Sequence, residues 1–297
     1  MEKLTDNILQ KGLVQKSISG DYSVIYQGEI YVCKPRGVFR HKESNVKVGD
    51  YVDFDPQTKI ITKVYPRKND LIRPVIANID KAFLVISIKE PDLNLNLLDK
   101  MISILEYNNI EIIIIFTKND LLDEIENIKF DTINKYYQKI GYKTFVSSKE
   151  NFDKAILDEL KNSVCVLTGQ SGVGKSTLLN NMDKALNLKT NEISKALGRG
   201  KHTTRHIELF PVASGYLADS PGFGNVNFDE MDELTFSQTF IEFFKESEGC
   251  KFNHCTHVNE PKCIVKEKVL NGEILKSRYD NYLLFINEIK EAKKRKY

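Results

Sequence analysis

The run Gly169-Gln170-Ser171-Gly172-Val173-Gly174-Lys175-Ser176 satisfies every fixed position of G-x-x-x-x-G-K-[ST]. Glycines let successive backbone N–H groups converge on phosphate oxygens, Lys175 adds a point charge, and the Ser176 hydroxyl can ligate Mg²⁺. The apolar run Val164–Thr168 precedes this loop and a helical run opening at Thr177-Leu178-Leu179 follows, which is the context the motif requires. A nucleoside triphosphate is expected here. Downstream, Asp219-Ser220-Pro221-Gly222 ends the run Gly215–Ala218 and fits D-x-x-G, with Asp219 near Mg²⁺ through water and the Gly222 N–H toward the γ-phosphate. Between them, Gly198–Arg205 is polar, glycine-containing and basic, as a loop closing over phosphates would be. A threonine that ligates Mg²⁺ belongs in it; Thr203 and Thr204 are both candidates, and spacing does not decide between them. Where many GTPases carry a water-orienting glutamine after D-x-x-G, this chain has Phe223, which cannot orient water. His202 is the nearest candidate for that task, the alternative being a solvated loop histidine or an RNA contact.

The phosphate loop does not choose its base; two segments upstream can. Thr117-Lys118-Asn119-Asp120 follows the apolar run Ile110–Phe116, and Ser147-Ser148-Lys149 follows Lys143–Val146. Both stand at the C-terminal ends of expected strands, where ligands collect in open α/β sheets. An aspartate there accepts two hydrogen bonds from the N1–H and N2–H₂ edge of guanine, an edge adenine lacks, while a lysine stem covers the base face. A backbone N–H of the Ser-Ser-Lys turn can donate to the guanine carbonyl oxygen. Either segment alone is an ordinary polar loop, but the pair beside a phosphate loop favours guanine.

A third constellation is Cys250-x₄-Cys255-x-His257-x₅-Cys263, three thiolates and an imidazole, the ligand set of a closed structural Zn²⁺ site. His254 is a competing imidazole. The neighbours Lys251, Asn253, Asn259 and Lys262 are polar, which fits a metal-stapled loop better than a buried cysteine core. Cys33 and Cys165 sit in apolar runs and read as core residues. Five cysteines, an odd count so distributed, argue against a disulfide framework and for a reducing compartment.

These groups need elements to hold them. Gly12 to about Tyr65 carries short alternating runs, Ser23–Tyr26, Ile30–Cys33, Tyr51–Phe54 and Ile60–Val64, separated by turn signals at Ser19-Gly20-Asp21, Gly28, Gly49-Asp50 and Asp55-Pro56. About five strands with no helical period between them suggest a small antiparallel barrel of OB type over residues 1–70. From Ile79 the pattern alternates: Ala82–Ile88, a helix near Leu95–Tyr107, Ile110–Phe116, a helix near Thr132–Ile140, Lys143–Val146, a helix near Phe152–Lys161, then Val164–Thr168. That is α/β, a mostly parallel, doubly wound sheet over 71–226. Residues 227–297 turn helical, pass the cysteine cluster, and end on a helix from Ser277 into Lys293-Lys294-Arg295-Lys296.

The order of the motifs carries further information. Ordinary GTPases place the phosphate loop first; here Thr117–Asp120 precedes Gly169–Ser176 and Asp219–Gly222 follows. This order resembles the circularly permuted GTPases. With a barrel before and a cysteine cluster after, nearly the whole chain is similar to the ribosome small-subunit-dependent GTPase A family (RsgA, also called YjeQ). Val48–Val52, Arg67–Leu71, Ala77–Asp80 and Gly200–Thr204 are further matching stretches. The resemblance implies a central permuted GTPase sheet between an OB-type barrel and a helical zinc-binding module, His257 rather than His254 as the zinc ligand, and a catalytic histidine in the loop of His202. It also implies a late assembly factor of the small ribosomal subunit that binds its rRNA, is stimulated by the subunit and leaves when GTP is hydrolysed. Thr117 departs from the family's usual Asn; a hydroxyl in place of an amide is expected to weaken the base contact without changing the base.

A net charge of +2 makes the chain no general polyanion binder, so RNA contact must come from local patches. Lys34, Arg36, Arg40, His41 and Lys42, then Arg199, Lys201, His202 and Arg205, then Lys293–Lys296 are such patches. Hydrophobic residues at 41% and charged residues at 28% exclude a disordered chain, and the longest apolar runs are too short to span a bilayer. The N-terminus lacks the apolar stretch of a secretory signal, so a cytoplasmic location, no membrane partner and a monomer are expected. Two other classes remain open: an RNA-binding scaffold with vestigial turnover, which Phe223 permits, and a P-loop ATPase or kinase acting on a small molecule.

Overall fold

Alternation of apolar and polar residues closes the N-terminal strands on themselves. The computed structural model describes residues 9–37, 46–72, 74–186, 207–219 and 227–295. Strands β1 (Gln10–Ile18), β2 (Asp21–Tyr26), β3 (Glu29–Pro35), β4 (Tyr51–Asp55) and β5 (Ile60–Val64) form a closed barrel in the order β1-β2-β3-β5-β4. Inward positions Val14, Val24, Cys33, Val52, Phe54 and Ile61 are buried, and closure leaves no edge to aggregate. Burial pushes the Cys33 thiol up to about 11, as for an inert core residue.

Three of the stretches that matched the family by sequence, Val48–Val52, Arg67–Leu71 and Ala77–Asp80, interlock beside this barrel, while Gly200–Thr204 lies outside the described residues. Asp50, fully buried, accepts from Arg67 Nε at 2.7 Å and Nη2 at 2.8 Å and from the Lys47 N–H at 2.7 Å. Arg67 also bonds Asp70 at 2.7 Å, and its guanidinium is held above its ordinary range chiefly by the Asp50 carboxylate. Asn69 exchanges two 2.8 Å bonds with the backbone of Ile79, and Asn78 donates to the Gly49 carbonyl at 2.9 Å. Gly49 sits at φ +89°, where a Cβ would run into the Ala77 carbonyl oxygen, so only glycine lets these segments meet. The Ile79–Asp80 end of this knot leads into β8 (Lys81–Ser87), past the small hairpin of β6 (Asp70–Leu71) and β7 (Ile76–Ala77).

Contacts divide the chain into two units, one of Met1–Lys81, Lys154–Leu167 and Leu179–Pro221, the other of Ala82–Asp153, Thr168–Leu178 and Gly222–Tyr297. Besides the barrel, the first contains α3 (Ala155–Asp158), β11 (Val164–Thr168), β12 (Phe210–Val212) and β13 (Gly215–Asp219). β11 and β13 are parallel, and β12 is an antiparallel edge strand that hydrophobic pattern did not announce. The helix expected over Phe152–Lys161 is a single turn. Successive three-residue bonds follow it (Leu160 N–H to Leu157 O, Lys161 N–H to Asp158 O, Ser163 N–H to Leu160 O), and Asn162 at φ 53° ends it. The backbone leading into β12 joins the barrel: Leu209 N–H donates to the Gln15 carbonyl at 2.9 Å and Lys16 pairs with Glu208 at 2.5 Å.

In the second unit, β8 and β9 (Glu111–Thr117) are nearly continuous apolar strands with both faces buried. Alongside them β10 (Lys143–Ser147) runs parallel to β9. Helix α1 (Leu95–Tyr107) coincides with its sequence expectation: Asn94 caps its start, and Leu98, Met101, Ile102 and Leu105 form its buried stripe. Helix α2 (Glu124–Ile140) starts well before the expected Thr132, because an Asp123/Glu126 capping box nucleates two turns whose Ile125 and Ile128 face outward.

The C-terminal module comprises α5 (Glu233–Ser237), α6 (Ile241–Glu246), α7 (Ile264–Leu270) and α8 (Lys276–Lys294). Phe236, Phe240, Phe243, Tyr282 and Phe285 form its aromatic core. At the module's root, fully buried Arg278 of α8 grips Glu242 of α6 in a two-toothed pair, 2.8 and 2.9 Å, and Asp99 of α1 at 2.7 Å. Tyr137 of α2 and Asn281 complete the satisfaction of Asp99, at 2.6 and 2.7 Å. Among the described residues no helix is long and apolar enough to cross a membrane.

Candidate functional site

Parallel pairing of β9 with β10 sets Thr117 directly beside Ser147, so the two segments expected to read the base leave the sheet from neighbouring strand ends. Both residues are buried. The Thr117 hydroxyl donates to the Val173 carbonyl inside the phosphate loop at 2.6 Å, with the Ile86 carbonyl farther off at 3.3 Å. This is a connection the sequence did not show. The small hydroxyl, expected to weaken the base contact, is occupied in tying the segment Thr117–Asp120 to the phosphate loop. Lys118 turns the chain at φ 63° into a short 3₁₀ turn, Asn119–Leu121, and its ammonium bonds the Glu90 carbonyl. That turn leaves Asp120 exposed, while the Asn119 Oδ1 is buried with no partner among the described residues. In the neighbouring turn, Ser148 N–H donates to the Asn151 carbonyl at 2.8 Å and Asn151 N–H to the Ser148 hydroxyl at 3.0 Å, with Lys149 exposed.

The phosphate loop lies between β11 and α4 (Lys175–Ala185), as expected. Gly169 passes so close to the Val85 carbonyl, at φ +146°, that no Cβ fits. Val173 is buried beneath the loop, whereas Gln170, Ser171, Gly172 and Ser176 are exposed and Thr177 is half-buried. The Lys175 ammonium lies folded back over the loop, bonded to the carbonyls of Gly169 and of Gln170, the latter at 2.6 Å. Gly174 at φ +94° faces Thr117, which an added Cβ would meet at ordinary contact distance, and its carbonyl accepts the Leu178 N–H at 2.9 Å to start the helix. Asp219 ends β13 opposite Leu167 of β11, at the C-terminal edge of that strand pair. His202, Thr203, Thr204, Gly222 and Phe223 lie outside the described residues, as do Arg40, His41, Lys42, Arg199, Lys201, Arg205 and Lys296. Of the described basic residues, Lys34 and Arg36 are exposed, while Lys293 pairs with Glu233 at 3.0 Å and Lys294 with Glu291 at 2.8 Å.

The four expected metal ligands converge. One donor atom each from Cys250, Cys255, His257 and Cys263 lies within 4.8 Å of all the others. Two thiolates about 2.3 Å from a tetrahedral zinc stand about 3.8 Å apart; Cys250 Sγ and Cys263 Sγ are 3.9 Å apart, with His257 Nδ1 at 3.7 and 3.3 Å from them. His257 is buried and His254 exposed, so geometry selects the same histidine as the resemblance. Burial pushes the Cys255 thiol up to about 12 and Cys263 upward, and holds the His257 imidazolium below its usual range. A divalent cation supplies the charge that makes thiolates favourable in such a place, and zinc fits this donor set.

Outer groups fix the loop that carries these ligands. Tyr279 donates to the His257 carbonyl at 2.8 Å and Tyr282 to the Thr256 carbonyl at 2.5 Å. Glu260 accepts from the Thr256 and Val258 N–H groups at 2.8 and 2.9 Å; burial alone would raise its carboxyl, but these bonds hold it at about 2. Sequence reasoning missed all three, because nothing in their spacing distinguishes two tyrosines on a helix from core aromatics, or a glutamate in a polar loop from a solvated charge.

A base-reading turn tied to a phosphate loop that follows it in the chain, on a parallel sheet, defines a circularly permuted P-loop GTPase. Known proteins carry the same design. A sequence profile of the RsgA GTPase family matches residues 64–229, and one of the RsgA N-terminal domain matches residues 11–60. A small ribosomal subunit biogenesis GTPase, RsgA 2 of Oceanobacillus iheyensis, is 45% identical over 296 residues, 97% of this chain and 100% of the relative. Among solved structures, YloQ, described as a circularly permuted GTPase, superposes with a TM-score of 0.83 at 33% identity, covering 98% of each chain. YjeQ from Thermotoga maritima gives 0.83 at 31% identity over 95% of this chain and 99% of its own. The chain belongs to the RsgA GTPase family. Its reaction is GTP hydrolysis, with Mg²⁺ accompanying the nucleotide.

Proposed function

We propose that this GTPase acts late in maturation of the small ribosomal subunit, binding its rRNA in the GTP form and leaving after hydrolysis. The observation that supports it best is correspondence along the whole chain, barrel through zinc cluster, with relatives named as small-subunit biogenesis GTPases. A cytoplasmic location follows from that role.

In this reading Asp120 accepts the N1–H and N2–H₂ edge of guanine and the Lys118 stem covers the base. The Ser148 N–H is committed to Asn151, so the donor to the guanine oxygen is the Lys149 N–H. The phosphate oxygens settle into the N–H groups of Gly169–Thr177, and Lys175 exchanges its two loop carbonyls for them. Ser176, Asp219 and either Thr203 or Thr204 would hold Mg²⁺, which would offset the negative charge of the phosphates. Gly222 meets the γ-phosphate and His202 orients the attacking water. Boundaries near residues 70 and 226 separate barrel, GTPase and zinc module.

The test is GTP turnover by purified protein, alone and with purified small subunits, with ATP and the large subunit as controls. Stimulation by the small subunit and specific to GTP is the expected result. Stoichiometric binding without stimulation points to a scaffold, and equal use of ATP removes the guanine reading.

A further inference from the structure

The four-residue loop between the first two zinc ligands carries an exposed aromatic side chain, Phe252, that packs into no core. Its ring and that of Phe244 on α6, also exposed, line one groove of about 360 Å³ beside Cys250. Lys251 places its ammonium over the Phe252 ring, 5.5 Å from the centroid. The rest of the lining is polar: the amides of Gln238 and Asn253, which have no side-chain partner among the described residues, the imidazole of His254 and the carboxylate of Glu248. The Lys251 N–H meets the Lys262 carbonyl, so two exposed lysines stand on adjoining backbone next to the Cys250 and Phe252 that line the groove.

We propose that this groove takes one unpaired RNA base, stacked on Phe252, with Asn253 and Gln238 on its hydrogen-bonding edge and the flanking phosphates on Lys251 and Lys262. The occupant follows from the chemistry. An apolar peptide side chain would fill the space between the rings but leave two amides and a carboxylate desolvated without partners. A base has a π-face for the ring and donors and acceptors for the amides. Its backbone charge matches the lysine rim, while Glu248 keeps phosphate out of the groove itself and admits an exocyclic amino group. The loop is anchored at both ends by Cys250 and Cys255 of the metal cluster, which limits the backbone ordering required on binding. The proposal deepens the RNA-binding reading above and rests on it for the larger RNA to which the base belongs.

The test uses the full-length, zinc-loaded protein and a short unstructured RNA oligonucleotide, with purified small subunits as a second ligand. Phe252→Leu keeps apolar area but removes the stacking face; Phe252→Trp keeps the face. Phe252→Leu is expected to weaken oligonucleotide binding about tenfold, Phe252→Trp to retain it, and both to keep zinc content and basal GTP turnover. Ultraviolet crosslinking is expected to join the RNA to the peptide Lys251–Thr256. Unchanged binding by Phe252→Leu, or crosslinks confined to other segments, overturns the proposal. A wild-type protein that crosslinks the oligonucleotide through this peptide but ignores small subunits leaves the groove standing and rejects the ribosomal reading.

Discussion

At Thr117 a single hydroxyl ties the segment that follows β9 to the phosphate loop. Its 2.6 Å bond to the Val173 carbonyl is buried, and a neutral bond of this kind contributes about 1 kcal/mol. Thr117→Val keeps the shape and removes the donor, so the affinity for GDP should fall about fivefold, with guanine still preferred, in a fluorescent-nucleotide titration. Asp120→Ala should do the opposite. Two charge-assisted bonds to the base are lost, and the preference for GDP over ADP in competition should shrink by about a hundredfold or more, the phosphate loop being untouched. The types and spacing of these residues were legible in the sequence because phosphate and guanine impose fixed chemistry at fixed separations. The Thr117–Val173 bond was not legible. It joins residues far apart in the chain and depends on where two strand ends fall in register.

Elements were legible where burial was one-sided and periodic. Helix α1 shows a clean stripe from Leu98 to Leu105, and the barrel strands alternate, so both were placed by pattern. The first turns of α2 escaped because outward-facing isoleucines blur the period, and α3 because a left-handed Asn162 stops it early. Neither did pattern reveal that a stripe position on α8 would be an arginine under the aromatic core. Arg278 touches α1, α6 and the ring faces of Tyr137 and Phe240, 5.6 and 4.3 Å from their centroids. Its value lies in balance, since a buried ion pair contributes little net stability but a half-removed one costs about 3–5 kcal/mol. Arg278→Met should therefore destabilise the protein by that amount at neutral pH in denaturant unfolding. Burial already raises the Asp99 carboxyl, and losing the guanidinium raises it further. A carboxyl raised in the folded state takes up a proton more readily folded than unfolded, so folding of the variant is favoured as pH falls. The deficit relative to wild type should narrow between about pH 7 and pH 5; a deficit that does not change with pH would mean the lost packing, not the stranded charge, sets the cost.

For the molecule as a whole, the order of motifs announced a permuted GTPase between two added modules, and the remaining issue is how the zinc module stands. Its helices share an aromatic core and the Arg278 hub, and of the metal ligands His257 lies edge-on to Phe243 of that core, 6.0 Å between ring centroids, whereas the segment from Cys250 to Cys263 has little apolar burial of its own beyond those ligands. Zinc therefore staples a loop rather than a domain, unlike small fingers that unfold entirely without metal. Stripping the zinc with a strong chelator should raise amide hydrogen exchange sharply across residues 250–263 while the buried stretch Tyr282–Ile289 of α8 keeps its protection. Basal GTP turnover should be unchanged, since among the described residues the segment after β9 is bonded to the phosphate loop through Thr117 and no bond joins either to the zinc loop. Small-subunit binding, in contrast, should weaken, because Phe252 would no longer be held in place. Exchange rising along the whole of α8 would show instead that the metal, and not the aromatic core, holds the module together.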